Sequence, residues 1–359
     1  MSLLKVLVER MNFFRETIKN MSGYVPGEQP TPGSKIIKLN TNENPYPPSP
    51  SALQAIAGIN PDLLRRYPDP FSRNITQAVS RNFNIPEDWV LVGNGSDELL
   101  SIIIRACCGP DRALAYPMPT YVLYRTLAQM QETPCIEIPF DDEYHFPLSE
   151  IIAAQGAVTM IASPNSPSGT VVPARVLGEL AENLSGVLVV DEAYTDFADE
   201  NALQLITKHE NVIILRTLSK GYSLAGLRLG FGLAHPKLLE GFFKIKDSYN
   251  VDALTCLIGA AAIDDQKHMI SNAEKVKKTR AQLVFGLKEL DFRIWPSQAN
   301  FLLVRPPRGN AEDLYLSLKE RGILVRYFKQ PQLEDKLRIS IGTEEQTEIL
   351  LRTLTDLIQ

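Results

Sequence analysis

The sequence predicts an α/β protein: a large domain on a mainly parallel sheet covered by helices, followed by a smaller α+β domain. Three observations carry this. Short apolar runs bounded by turn residues recur at 89–92, 113–116, 133–138, 159–162, 187–190 and 212–215. Segments of helical periodicity, among them 72–83, 97–107, 120–130 and 174–184, separate several of these runs, as they do where buried parallel strands alternate with helices. After Pro236 the pattern changes to long helical stretches followed by short strands, which marks a second unit.

The chain has 359 residues, enough for two domains and a sizeable core. Its formal charge of -5 and the lack of a long basic run argue against nucleic acid or an anionic membrane as partner. Hydrophobic residues make up 44% and charged residues 22%, the balance of a soluble globular protein. The longest uncharged stretch, 151–174, is broken by Pro164, Pro167, Pro173 and Asn165, so no transmembrane segment is expected. Cys107, Cys108, Cys135 and Cys256 form no CxxC pair and no metal-ligand spacing with the histidines. Reduced thiols in a cytoplasmic protein, with no metal, are the expectation.

At the N-terminus Leu4, Leu7, Met11, Phe14 and Ile18 make an apolar helical stripe. Charges at Glu9, Arg10, Arg15 and Glu16 interrupt it and no cleavage site follows, so it reads as a helix packed on the body or at a dimer edge, not as a secretory signal. Residues 24–50 are rich in Pro, Gly and Asn and read as extended, ordered loop. Beyond Pro236, helices are expected at 236–246, 256–290, 311–321 and 344–357, with strands at 292–295, 301–304, 323–326 and 337–341. The domain division that follows is 49–269 for the large domain, and 1–48 with 270–359 for the small domain and its N-terminal arm.

Four stretches carry candidate chemistry. Lys220 sits in LRTLSKGYSLAGLRLGFG between two apolar runs, flanked by small hydroxyls and glycines; an amine held there can act as a nucleophile, with Schiff-base formation its obvious use. In GNGSDE, Gly95, Ser96 and Asp97 lie between a strand and a helix, where free amides and the helix dipole can hold a phosphate; a capping turn would look the same. Asn165, in SPNSPSGT, ends a strand at the edge where α/β proteins bind ligands, or is a turn-forming Asn. Asp191, in VVDEAY, ends a hydrophobic strand, and burying its carboxylate calls for a cationic partner, unless it is a simple helix cap.

An aldehyde-binding lysine, a phosphate cup, an acid for a ring nitrogen, and an Asn and a Tyr for a phenolic oxygen together describe a pyridoxal 5'-phosphate site. In these motifs, and in LNTNENPYPPSP, RYPDP, YPMPTYVLY, GILVR and LRISIGT, the chain resembles the fold-type I, class II aminotransferases over nearly its whole length. Within that family it looks most like the enzymes that transaminate histidinol phosphate. The resemblance implies a fold-type I pyridoxal-phosphate-dependent transferase with a sheet of the seven-stranded type, acting with glutamate and 2-oxoglutarate. It implies a Schiff base at Lys220, a ring-nitrogen partner in Asp191, and Asn165 and Tyr194 on the phenolic oxygen. Tyr121 would stack on the ring. Gly95, Ser96, Asp97, Ser219 and Arg228 would hold the cofactor phosphate, joined by Tyr67 from the other subunit of a homodimer. Arg338 would meet the substrate carboxylate, Arg326 its phosphate, and Tyr24 and Asn44 would close over it. A threonine-phosphate decarboxylase, a broad aromatic aminotransferase and a non-catalytic pyridoxal-binding regulator are the alternatives.

Overall fold

The computed structural model describes residues 13–23, 27–31, 33 and 35–358. A two-residue strand, β1 (Ile37–Lys38), leads in from the N-terminal segment. The large sheet contains β2 (Val90–Gly93), β3 (Leu114–Met118), β4 (Cys135–Pro139), β5 (Val158–Ala162), β6 (Val187–Asp191), β7 (Val212–Thr217) and β8 (Gly230–Ala234), in the order β2-β8-β7-β6-β5-β3-β4. Six strands run parallel and β8 runs against its neighbours β2 and β7. The seven-stranded, mainly parallel sheet expected from the sequence is therefore present.

Every residue of β5, β7 and β8 is buried, which is why these strands read as unbroken apolar runs. Successive side chains feed opposite faces. Val189, Ile213, Leu215 and Met160 join one core with Leu99, Leu100 and Ile103 of the helix Ser96–Cys107. Val190, Ile214, Ile161 and Leu188 join the other, with Leu177 and Leu180 of the helix Ala174–Asn183. Helices thus cover both faces, and the carboxyl ends of β2, β3, β5, β6 and β7 open toward one edge.

The smaller sheet is antiparallel, in the order β12-β13-β10-β9, with β9 (Arg293–Ile294), β10 (Phe301–Arg305), β11 (Ile323–Leu324), β12 (Arg326–Tyr327) and β13 (Leu337–Ser340) following in the chain. β11 instead pairs in parallel with β1. The strand expected at 323–326 is therefore two short strands in different sheets, with Arg326 turned to pair with Arg338 on β13.

The helix expected across 256–290 is two helices, Ala253–Asp264 and Gln266–Glu289, interrupted at Asp265. The Asp265 carboxylate accepts from the His268 amide and so starts the second helix where the first ends. Of the N-terminal stripe, Leu4, Leu7 and Met11 lie outside the described residues; the described part forms a helix at Glu16–Asn20. It docks by Arg15 and Thr17 on Glu132, and leaves Phe13 and Phe14 exposed. No described helix is long and apolar enough to cross a membrane.

Candidate active site

A cavity of about 290 Å³ lies at the carboxyl edge of the large sheet, closed on its far side by the small sheet. The position follows from topology, since strand ends and the loops leaving them supply functional groups where helices cannot block approach. Lys220, Asp191, Tyr194, Ser96, Arg228 and Arg338 all line it.

Lys220 stands in the turn between β7 and β8, its Nζ 3.4 Å from the carbonyl of Thr41 and 5.6 Å from the centre of the Tyr194 ring. Asp191, the last residue of β6, is buried beneath it in the cavity wall. The cationic partner expected for this carboxylate is absent among the described residues. Instead the Tyr124 hydroxyl donates to Oδ2 at 2.8 Å and the Ala193 amide donates to Oδ1 at 3.2 Å. Burial pushes the Asp191 carboxyl up to about 6, and the Tyr124 and Ala193 hydrogen bonds oppose that rise. Burial also holds the Tyr124 phenol well above its ordinary range, so it remains a neutral donor.

At residues 95–97, where a phosphate cup is expected, β2 is followed by the start of a helix. The helix Ser96–Cys107 begins after Gly95 with no side chain capping its first amides, which excludes the capping-turn reading. Gly95 has φ +77, and a Cβ there would sit 2.8 Å from Arg228 Nη2. Behind the cup, a Cβ on Gly230 would lie 2.5 Å from the Ser96 amide nitrogen, so the helix start can rest on β8 only at a glycine. Arg228 reaches the cup and pairs with Asp97 at 3.1 Å, and Tyr121 donates to the other Asp97 oxygen at 3.2 Å. Ser219, buried beside Thr217, completes this end.

Opposite, Arg326 and Arg338 are direct register partners on β12 and β13. Phe328 lies between them, 5.4 Å from the Arg326 guanidinium carbon and 5.6 Å from that of Arg338. Arg338 also lies over Phe301 and donates to Ser166 Oγ at 3.1 Å and to the Asn40 carbonyl at 2.9 Å.

Of the remaining predicted site residues, Asn165 and Asn44 turn away from the cavity, Tyr67 is exposed as a residue serving a partner subunit would be, and Tyr24 is not among the described residues. Asn165 does not line the cavity: its amide nitrogen donates to the Pro119 carbonyl and Ser168 Oγ, and its oxygen accepts from Thr120. Pro164, Ser166 and Pro167 of the same loop line the wall, Ser166 being the polar one among them. Asn44 likewise turns away from the cavity and donates to the backbone carbonyls of Lys220 and Gly221, whereas Asn42 lines it. Tyr67 is 81% exposed and stacks on Tyr249, away from this cavity. Tyr24 lies outside the described residues. Sequence reasoning missed Asn42, Ser166, Tyr124 and Phe328. The first two sit within motifs that were noticed, but polarity alone does not say which residue of a polar run faces inward.

The residues present fit pyridoxal phosphate. A buried carboxylate without a cation, an uncapped helix start beside an arginine, and a lysine between them match the ring nitrogen, phosphate and aldehyde of that group.

The family model described as aminotransferase class I and II matches residues 34–354. A protein of Trichormus variabilis named histidinol-phosphate aminotransferase 1 is 60% identical over 97% of this chain and 99% of its own length. A histidinol-phosphate aminotransferase of Rhodopirellula baltica is 43% identical over 93% of each chain. The crystal structure of histidinol-phosphate aminotransferase from Sinorhizobium meliloti in complex with pyridoxal-5'-phosphate superposes with a TM-score of 0.88, at 24% identity, over 98% of this chain and 99% of the other.

Proposed function

Because the chain belongs to the class I and II aminotransferases, we propose that it exchanges the amino group of L-histidinol phosphate with 2-oxoglutarate, yielding imidazole acetol phosphate and L-glutamate in histidine biosynthesis. Pyridoxal 5'-phosphate is its cofactor. One observation carries the reading: a single cavity sets Lys220 and Asp191 against the register-paired Arg326 and Arg338. Relatives named for this activity at 60% and 43% identity support it.

When bound, pyridoxal phosphate supplies an aldehyde for amine exchange and an electron-accepting ring that takes up the charge left when a proton leaves the substrate α-carbon. Lys220 would hold the aldehyde, and its Nζ, once freed by the substrate amine, would carry the proton from the substrate α-carbon to the cofactor carbon that bore the aldehyde. Asp191, held by Tyr124 and Ala193, keeps a proton on the ring nitrogen. Tyr121 packs on the ring and Tyr194 hydrogen-bonds its phenolic oxygen. The Gly95 backbone, the Ser96 and Asp97 amides, Ser219 and Arg228 hold the phosphate, Arg228 exchanging its Asp97 partner for it. Arg338 takes the α-carboxylate of glutamate by a planar fork, and Arg326 takes the phosphate of the amine substrate. With Asn165 turned into its loop, Ser166 is the polar residue of that loop in the cavity wall.

The same reading makes the active unit a homodimer in which Tyr67 reaches the cofactor phosphate of the partner. It is supported by the exposure of Tyr67 and of Tyr249, on which Tyr67 stacks. We assign residues 49–269 to a large domain, and 1–48 with 270–359 to a small one, each holding one of the two main sheets. The four free thiols favour the cytoplasm.

Mixing the pyridoxal-loaded protein separately with histidinol phosphate, phenylalanine and threonine phosphate tests the assignment. Histidinol phosphate should convert the cofactor to its amine form, read in the visible absorbance. Conversion by phenylalanine alone makes the protein an aromatic aminotransferase, and carbon dioxide released from threonine phosphate makes it a decarboxylase.

A further inference from the structure

Asn42 is 1% exposed, lies in the cavity wall, and holds a left-handed backbone conformation with φ 55. It stands where three parts of the chain meet. Its carbonyl accepts from Asn300 Nδ2 at 3.0 Å, its amide donates to Ser340 Oγ at 2.9 Å, its Oδ1 lies 2.8 Å from the same Oγ, and its Nδ2 lies 3.0 Å from the Tyr194 hydroxyl.

The direction of each hydrogen follows from this arrangement. A backbone amide can only donate, so Ser340 Oγ accepts from Asn42 and has one hydrogen of its own to place. The oxygen beside it is Asn42 Oδ1, which accepts. With the side-chain amide reversed, two donors would converge on Ser340 Oγ and its buried hydrogen would lose that acceptor. Asn42 Nδ2 is therefore the end that faces Tyr194, and the Tyr194 oxygen accepts from it. A phenol has one hydrogen, and a hydroxyl already accepting from Asn42 directs that hydrogen elsewhere. Tyr194 lines the cavity beside Lys220, so the hydrogen is available to an oxygen of whatever the cavity holds.

We propose that Asn42 is a positioning residue that fixes the polarity of Tyr194, making it a hydrogen-bond donor toward the cavity. This rests on the pyridoxal reading, in which the acceptor is the phenolic oxygen of the cofactor. The role gains weight because both donor hydrogens of Asn165 are committed to Pro119 and Ser168. Ser340, two residues along β13 from Arg338, is thereby the second member of the device: it sets the orientation of Asn42 and through it that of Tyr194.

Asn42→Asp tests this with little change of shape, and Asp tolerates the positive φ. A carboxylate can only accept here, so it draws the Tyr194 hydrogen away from the cavity. The readout is the pH midpoint of the visible absorbance change of the pyridoxal-loaded protein. That midpoint should rise by about one unit in Asn42→Asp, in the same direction as in Tyr194→Phe. Ser340→Ala, which adds no charge, should move it the same way by less. Adding Asn42→Asp to Tyr194→Phe should move it no further. An unmoved midpoint in Asn42→Asp, or full additivity with Tyr194→Phe, overturns the inference and leaves Asn42 a structural residue, detectable only as a lower melting temperature. A wild-type protein that develops no visible band with pyridoxal phosphate overturns the cofactor reading itself.

Discussion

On the sheet wall of the cavity, Asp191 is fixed by a buried phenol and a backbone amide, and Lys220 is carried on a turn whose carbonyls are clamped by Asn44. On the facing wall, Arg326 and Arg338 lie across aromatic faces at the mouth of a small antiparallel sheet. The first wall uses short directional bonds in a buried setting, where a misplaced group is costly. The second adds broad aromatic contacts to the two hydrogen bonds of Arg338, and presents planar guanidinium groups suited to carboxylate or phosphate. A transaminase needs this division. The cofactor is the same in both half-reactions, whereas the anions differ, and on the proposed reading Arg338 receives the carboxylate of glutamate and Arg326 the phosphate of the other substrate.

Breaking the sheet wall should therefore cost most. Lys220→Ala should lower turnover about 10⁴-fold, measured with saturating histidinol phosphate and 2-oxoglutarate, with loss of the cofactor's lysine-dependent absorbance. Loss of that absorbance with turnover unchanged would show that the wall bearing Lys220 is not where the proton moves. On the arginine wall, Arg338→Lys keeps the charge and removes the fork that now spans Ser166 and the Asn40 carbonyl. It should reduce kcat/KM for glutamate about 10²-fold, and an effect of less than about threefold would mean that Arg338 does not hold the carboxylate.

The pH response of the cofactor-free protein probes the sheet wall alone. The Asp191 carboxyl stands at about 6 in the folded protein, above its ordinary value of 3.8. A raised acid favours the folded state at low pH, and this advantage disappears as pH climbs from about 4 through about 6. Removing the titration with Asp191→Asn should leave stability near pH 4 almost unchanged and raise it by about 3 kcal/mol at pH 7.5 relative to wild type. Denaturant melts at the two pH values measure this, and equal differences at both would mean that Asp191 is not a buried, titrating acid.

The two walls also differ in how far the sequence revealed them. The sheet wall was legible because a parallel strand buried on both faces reads as an apolar run, so a polar residue at its end stands out, as Asp191 does after β6. Lys220 and the turn at 95–97 were found in the same way. Direction was not legible. Within SPNSPSGT and LNTNEN, only the folded loop shows that Ser166 and Asn42 face inward while Asn165 and Asn44 bind backbone or neighbouring side chains. Tyr124 was missed because a phenol on a helix facing the core looks like any apolar aromatic until its hydroxyl is seen on Asp191. In the small sheet the arginines were found, but not the break at Val325 that separates β11 from β12, and Phe328 carries no polar signal. Pairing of Arg326 with Arg338 depends on a register that two-residue strands cannot announce.

Phe328 gives the smallest and most discriminating of these tests. It faces both guanidinium groups, at 5.4 Å and 5.6 Å, but Arg338 has a second aromatic support in Phe301 at 5.3 Å, together with hydrogen bonds to Ser166 and Asn40. Phe328→Leu keeps an apolar side chain of similar bulk and removes the ring quadrupole, worth about 0.5–1 kcal/mol at each partly exposed cation. Arg338 retains its other supports, so KM for glutamate should stay within about twofold of wild type, while KM for histidinol phosphate, which depends on Arg326, should rise about three- to fivefold, with kcat for both unchanged. A rise confined to glutamate would exchange the roles of the two arginines, and a fall in kcat would show that the aromatic spacer acts on the sheet wall as well as on its own.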